Sequence, residues 1–102
     1  MKIPKRVKIG GFAYNVERPN EPFVSDNIVA DGEHNFVDKI IKVAAKGCPE
    51  YQDLVFLHEV CHAIISCYVA NKQDEEFVEQ FSKGLYQFLV DNPGIVEKGG
   101  EE

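Results

Sequence analysis

The chain is poor in positive charge. Among its 102 residues, 11 are Lys or Arg and 17 are Asp or Glu, so the formal net charge is −6. A protein that binds the phosphate backbone of a nucleic acid needs clustered positive charge. Basic residues cluster only near the N-terminus, where they alternate with apolar ones as on the solvent side of a strand. They are Lys2, Lys5, Arg6 and Lys8. We therefore expect no nucleic-acid partner.

Cysteine is also rare, and long apolar runs are lacking. The three cysteines, Cys48, Cys61 and Cys67, make an odd number, and two of them lie in an apolar run. Reduced, buried thiols are therefore expected rather than a disulfide framework. The longest apolar run, residues 54–69, is too short to span a bilayer. No charged n-region with an apolar h-region opens the sequence. These absences predict a cytoplasmic protein with no membrane span.

The remaining composition is that of an ordinary globular protein. Hydrophobic residues make up 44% and charged residues 27% of the chain, which predicts a folded rather than a disordered protein. A chain of this length suits a single domain with one modest core. We assign residues 1–92 to that domain and residues 93–102, rich in glycine and glutamate, to a flexible C-terminal tail.

The first half of the sequence is predicted to form a sheet, because turn residues separate short segments that are typical of strands. Residues 6–9 and 12–17 alternate around a glycine pair, which predicts a hairpin with a two-residue turn. Two prolines indicate a loop over residues 18–22. Residues 28–30 and 38–44 are predicted to supply one or two more strands around an Asp-Gly pair.

The second half predicts two helices. Residues 50–70 form one long, largely apolar helix, and Pro49 suits its first turn. A short polar connection over residues 71–74 leads to a second helix over residues 75–91, which Asn92-Pro93-Gly94 ends. One broad apolar face is predicted on the second helix. It comprises Phe77, Val78, Phe81, Leu85, Phe88 and Leu89.

A single polar stripe runs along the first predicted helix. At about 100° per residue, His58, Glu59, His62 and Ser66 fall within roughly a quarter of the helix circumference, and the rest of the central segment is apolar. A helix that is apolar nearly all round belongs in a core. Polar groups there must be satisfied, or each costs about 1–3 kcal/mol. A bound cation is one way to satisfy this stripe.

The spacing of the two histidines suits a metal ion. Residues four apart lie on adjacent helical turns, so the imidazoles of His58 and His62 can meet at one ion at about 2.0–2.1 Å. Zinc then needs a third protein ligand. Glu59 points away from the ligand position but can reach a water in an open fourth site. There it would act as a general base and pass the proton to the leaving amine.

The H-E-x-x-H segment that begins at His58 resembles the active-site helix of the zincin metallopeptidases. In the gluzincin branch, the second helix carries Glu-x-x-x-Asp or a close variant, and its first glutamate binds zinc. Glu75 matches that ligand, and Glu79 stands where the supporting aspartate is usual. Glu75 also borders the apolar face of its helix, whereas Glu76 turns further towards solvent.

The chain most resembles compact HExxH proteins of bacteriophage and prophage genomes, related to ImmA/IrrE-like metallopeptidases, and minimal soluble gluzincins. The expected fold is α+β and minimal zincin-like, with a small, mostly antiparallel sheet packed on two long antiparallel helices. The resemblance implies a zinc peptidase, with Zn²⁺ held by His58, His62 and Glu75 and with Glu59 as the catalytic base. Its substrate would be a peptide or protein in the cytoplasm of a bacterium or a phage-infected host.

Several alternatives stay open. A zinc-binding interaction or regulatory domain with little or no catalysis needs the same ligands. Cys48 is a rival third ligand, because peptide deformylases pair HExxH with a Gly-Cys motif, but it lies only ten residues before His58. Tyr68 and Tyr86 are candidates for stabilising an oxyanion. His34 is expected on an exposed strand or loop, and an extended substrate is expected to add to an edge strand. The substrate and the oligomeric state stay open.

Overall fold

The computed structural model of the chain describes residues 2–68 and 74–91. The predicted tail at 93–102 and the predicted helix end at 92–94 lie outside the described residues. So does the connection between the helices at 69–73, together with the last two residues predicted for the first helix.

The described residues form an α+β structure, as predicted. Strands fill the first half of the chain and two helices fill the second half. In chain order the elements are β1 (Arg6–Ile9), β2 (Phe12–Glu17), β3 (Phe23–Ser25), β4 (Ile28–Ala30), β5 (Gly32–Asn35), β6 (Ile40–Val43), α1 (Pro49–Tyr68) and α2 (Glu75–Asp91).

The predicted glycine hairpin is confirmed. β1 and β2 pair antiparallel, and Ile9 lies opposite Phe12 across the turn. Gly10 and Gly11 have φ angles of 60° and 83°. Two successive positive φ angles are what a type I′ turn requires, and glycine adopts them without a steric penalty. The sequence therefore determines this turn locally.

The main sheet is mixed, with two antiparallel pairings and one parallel pairing. Its strand order is β1-β2-β6-β5, in which β2 and β6 pair parallel while the other neighbours pair antiparallel. β3 and β4 form a separate antiparallel ribbon, whose turn residues Asp26 and Asn27 have φ angles of 53° and 67°. β5 is an edge strand of the main sheet, and it was not predicted. Its sequence, Gly-Glu-His-Asn, lacks the apolar alternation by which strands are recognised.

The core lies between one face of the main sheet and α1. Five residues from the sheet are at most 9% exposed, and they pack with three residues of α1 that are at most 6% exposed. The sheet residues are Ile9, Tyr14, Val16, Ile41 and Val43, and those from α1 are Phe56, Leu57 and Ala63. Alternation along each strand places these side chains on one side of the sheet. α1 therefore packs on this face of the main sheet.

α1 is less enclosed than the sequence suggested. It was expected to lie in the middle of a core, yet Tyr51, Ile64 and Tyr68 are 43%, 40% and 71% exposed. One side of α1 lies on the sheet and another contacts α2, and the remainder faces solvent. None of the described helices has the length and apolarity needed to cross a membrane.

α2 begins with an aspartate cap and buries a narrower face than predicted. Oδ1 of Asp74 accepts hydrogen bonds from the backbone N–H groups of Glu76 and Phe77 at 3.0 and 3.3 Å, as an N-cap residue does. Val78 is fully buried, but Phe77 and Phe81 are each 54% exposed, and their rings stack at 5.8 Å. The predicted broad apolar face is therefore only partly covered.

Candidate metal centre

α1 brings the two predicted histidine ligands together. His58 and His62 are four residues apart, so they lie on successive turns of the same helical side. Their ring centroids are 4.9 Å apart, and each side chain is 17% exposed. Both imidazoles therefore lie at the surface of the helix while remaining largely shielded from solvent.

α2 supplies the third predicted ligand. Nε2 of His58 donates to Oε2 of Glu75 at 2.8 Å, and Nε2 of His62 donates to Oε1 at 2.9 Å. The ligand atoms of the three residues all lie within 4.8 Å of one another. Among residues 2–68 and 74–91, this is the one group of three or more His, Cys, Asp or Glu side chains placed this closely. The sequence thus named all three residues that the fold brings together.

The donor set fits a zinc ion. Two imidazole nitrogens and one carboxylate oxygen are ligands that zinc commonly takes, and a tetrahedral ion separates its ligand atoms by about 3.3 Å. The nitrogen-to-oxygen distances here are 2.8 and 2.9 Å, so the carboxylate needs to withdraw by only a few tenths of an ångström. The Glu75 side chain is 66% exposed and free of tight packing, which permits that movement.

Glu59 lies beside this group and is buried against β5. It is 8% exposed, and its Oε2 lies 2.8 Å from the position that a Cβ at Gly32 would occupy. Cγ1 of Val55 lies 2.6 Å from the same position. A glycine is therefore required where the edge strand crosses α1.

Burial dominates the electrostatics of Glu59. Desolvation raises the pKa of its carboxyl to about 7, because a low-dielectric environment disfavours the charged form. The nearby His62 lowers this pKa, whereas the charges of Glu75 and Glu33 raise it. A buried carboxylate with a strongly perturbed pKa in a cleft is typical of functional sites.

A cavity of about 470 Å³ opens next to His58 and Glu59. It lies where the start of β5 meets the first half of α1 and the middle of α2. Its lining comprises Asp31, Gly32, Tyr51, Leu54, Val55, His58, Glu59, Glu79, Ser82 and Lys83. Glu79, predicted to support the metal site, forms an ion pair with Lys83 at 3.3 Å and lines this cavity.

His34 is a neighbour of the site that sequence reasoning missed. It lies in β5 and is half-buried rather than exposed, and its Nε2 is hydrogen-bonded to the Tyr14 hydroxyl at 2.9 Å. Burial lowers the pKa of His34, and the nearby His62 and Lys39 lower it further. Residues 32 and 34 are two apart, so they lie on the same face of a strand. The sequence could have placed His34 on the same face as Gly32 in this way, but only if β5 had been predicted as a strand.

The other candidate residues from the sequence belong neither to the close ligand group nor to the cavity lining. Cys48 is exposed just before α1, and it is not part of the close ligand group. Tyr68 is 71% exposed at the end of α1, and Tyr86 packs against the main core. Neither tyrosine lines the cavity beside Glu59.

Comparison of the sequence with known protein families and with curated proteins, and comparison of the fold with solved structures, finds no match. The resemblance to zincins therefore stays a prediction from the H-E-x-x-H segment, and any function must be argued from the geometry of the site.

Proposed function

We propose that this protein is a zinc-dependent endopeptidase that binds its metal through His58, His62 and Glu75. The observation that carries the proposal is the convergence of both imidazoles on one carboxylate, with the buried side chain of Glu59 beside them. Two histidines and a glutamate leave one position of a tetrahedral ion open, which is the arrangement of catalytic rather than structural zinc sites.

In this proposal, zinc and Glu59 have different roles in the hydrolysis of the peptide bond. Zinc, when bound, supplies Lewis-acid activation of a water molecule and of the scissile carbonyl. Glu59 accepts a proton from the attacking water at its carboxylate as the new carbon–oxygen bond forms. It then delivers that proton to the amine nitrogen as the carbon–nitrogen bond breaks, so the products are a carboxylic acid and an amine, which ionise to a carboxylate and an ammonium group. Burial against Gly32 holds the Glu59 side chain in place for both transfers.

β5 offers a place for the substrate. It pairs with β6 along one edge, and among the described strands no other strand pairs with its second edge. An extended peptide that adds to this edge would gain main-chain hydrogen bonds. Because Gly32 of β5 touches Glu59, that peptide would pass directly over the proposed catalytic group. A zincin-like fold with two antiparallel helices and action in the cytoplasm are part of the same proposal.

Metal content and peptide cleavage test the proposal together. We expect purified protein to hold one zinc ion and to cleave members of a mixed peptide library. His58→Ala and Glu75→Ala should lose both zinc and cleavage, whereas Glu59→Gln should keep zinc and lose cleavage by at least about a hundredfold. Glu76→Gln is the matched control, because Glu76 adjoins Glu75 but is outside the ligand group. Zinc stoichiometry that survives His58→Ala would refute the proposal.

A zinc-binding interaction domain is the second candidate, and one surface favours it. The β3–β4 ribbon exposes Val24, Ile28 and Val29 at 72%, 68% and 71%. Exposed apolar clusters of this kind often mark protein-binding surfaces. Wild-type protein that retains zinc but cleaves nothing in the library would indicate this function instead of peptidase activity.

A further inference from the structure

The cavity beside Glu59 has an apolar wall and acidic residues in its lining. Leu54 and Val55 of α1 supply aliphatic surface. Ser82 is 1% exposed, and its hydroxyl donates to the backbone carbonyl of Glu79 at 3.0 Å, so it offers no spare proton there. An occupant with an aliphatic stem would match this wall.

The charges around the cavity do not balance. Its one basic residue, Lys83, forms an ion pair with Glu79 at 3.3 Å. Asp31 accepts a hydrogen bond from the Tyr51 hydroxyl, and within the described residues nothing positively charged is bonded to its carboxylate. The lining thus keeps an uncompensated negative charge at Asp31. A cationic group entering the cavity is attracted, and an anionic one is repelled.

The cavity adjoins the proposed catalytic group. Glu59 is 8% exposed, and it is part of the cavity lining. The cavity is therefore continuous with the place where the proposed reaction occurs.

We propose that this cavity binds a basic side chain, lysine or arginine, of the peptide substrate next to the scissile bond, and that Asp31 selects for its charge. The proposal rests on the peptidase function argued above and gives it a substrate class. Asp31 immediately precedes β5, so a peptide that lies along β5 near Glu59 places a flanking side chain within reach of the cavity. The apolar wall takes the aliphatic stem, and Asp31 faces the cationic end.

Matched peptides test the selection. The full-length, zinc-loaded protein is assayed with peptide pairs that differ only in lysine or norleucine at one position, moved in turn to each side of the cleavage point. Norleucine keeps the stem and removes the charge. We expect the better lysine peptide to have a kcat/KM about tenfold above its norleucine partner. Asp31→Asn should reduce that ratio to about two or less, because it keeps an acceptor for Tyr51 and removes the charge. Tyr51→Phe, which keeps the charge, should preserve the preference for lysine.

Three results would decide against the selection. The first is equal cleavage of the lysine and norleucine peptides by the wild-type protein. The second is a lysine-to-norleucine ratio of kcat/KM that Asp31→Asn leaves unchanged. The third is a ratio that Tyr51→Phe reduces as much as Asp31→Asn does. If no peptide is cleaved, the peptidase function fails, and binding of the same fluorescent peptides to the zinc-loaded protein decides the charge selection alone. Tighter binding of the lysine peptide that depends on Asp31 supports it, and equal binding overturns it.

Discussion

At the scale of single residues, the site depends on a close approach between strand and helix. Gly32 lets β5 come so near α1 that a Cβ would lie 2.6 Å from Cγ1 of Val55 and 2.8 Å from Oε2 of Glu59. Those distances are well inside van der Waals contact, so any larger residue must displace one of the two side chains. Val55 has few rotamers in a helix, and the displacement therefore falls mainly on Glu59.

Gly32→Ala should uncouple catalysis from metal binding. We expect kcat to fall by at least about tenfold, because a general base displaced by about 1 Å loses its alignment, while zinc stoichiometry stays at the wild-type value. Gly84→Ala is the control, since nothing lies within 4 Å of a Cβ there. It should leave activity unchanged and add about 1 kcal/mol of stability through helix propensity. Equal kcat in the two variants would contradict this account of Gly32.

Tyr51 gives a prediction about pH. The hydrogen bond to Asp31 raises the pKa of Tyr51, and burial and the Asp31 charge raise it further. A group whose pKa is higher in the folded state than in the unfolded state stabilises the fold fully at any pH below its unfolded-state pKa, which is about 10 for tyrosine. That stabilisation is lost as the pH rises through the folded-state pKa. Urea unfolding should therefore show wild type more stable than Tyr51→Phe at pH 8, with the difference shrinking by pH 11. A difference that grows with pH would show that this hydrogen bond is not formed.

At the scale of elements, the start of α2 determines where Glu75, the proposed third ligand, lies. Asp74 caps the helix by accepting N–H groups of Glu76 and Phe77, and its carbonyl accepts the N–H of Val78. Glu75 is the first residue of α2 and directly follows Asp74, so these hydrogen bonds fix its backbone at the start of the helix. The sequence pattern supplied Glu75 as a candidate, but the cap and the contact of α2 with α1 bring it to the histidines.

Asp74→Ala should weaken both the helix and the metal site. Loss of an N-cap acceptor costs about 1 kcal/mol, and fraying of the first turn should raise the Kd for zinc several-fold. Unfolding by urea and competition with a calibrated chelator measure the two effects. Asp74→Ser retains a capping oxygen and should restore most of both. If Asp74→Ala lowers stability without changing zinc affinity, the cap does not position Glu75.

At the scale of the whole molecule, the proposed ligands come from two different helices. His58 and His62 come from α1 and Glu75 comes from α2, so an ion that binds all three requires the folded arrangement. A ligand that binds only the folded state stabilises it in proportion to the logarithm of its concentration over Kd, about 2.7 kcal/mol at a hundredfold excess. Metal binding should therefore be coupled to the packing of α2 against α1.

Zinc should raise the melting temperature of the wild-type protein by about 10–20 °C at saturating concentration, and a chelator should reverse the increase. Differential scanning calorimetry measures both transitions. Glu75→Ala should show little or no zinc-dependent shift, whereas the neighbouring Glu76→Gln should behave as wild type. A full zinc-dependent shift in Glu75→Ala would mean that the ion binds without α2.

The sequence by itself determined the features that depend on residues close together in the chain. The glycine hairpin, the bounds of α2 and the stacking of His58 over His62 follow from local backbone preference and helical periodicity. The choice of Glu75 was also available, because it begins a helix with an apolar face. Only the tertiary structure decided the parallel pairing of β2 with β6, the partial exposure of α1, and the position of β5 against Glu59. These arise from contacts between distant segments, and a strand as polar as β5 is stabilised by pairing with β6 rather than by any pattern of its own.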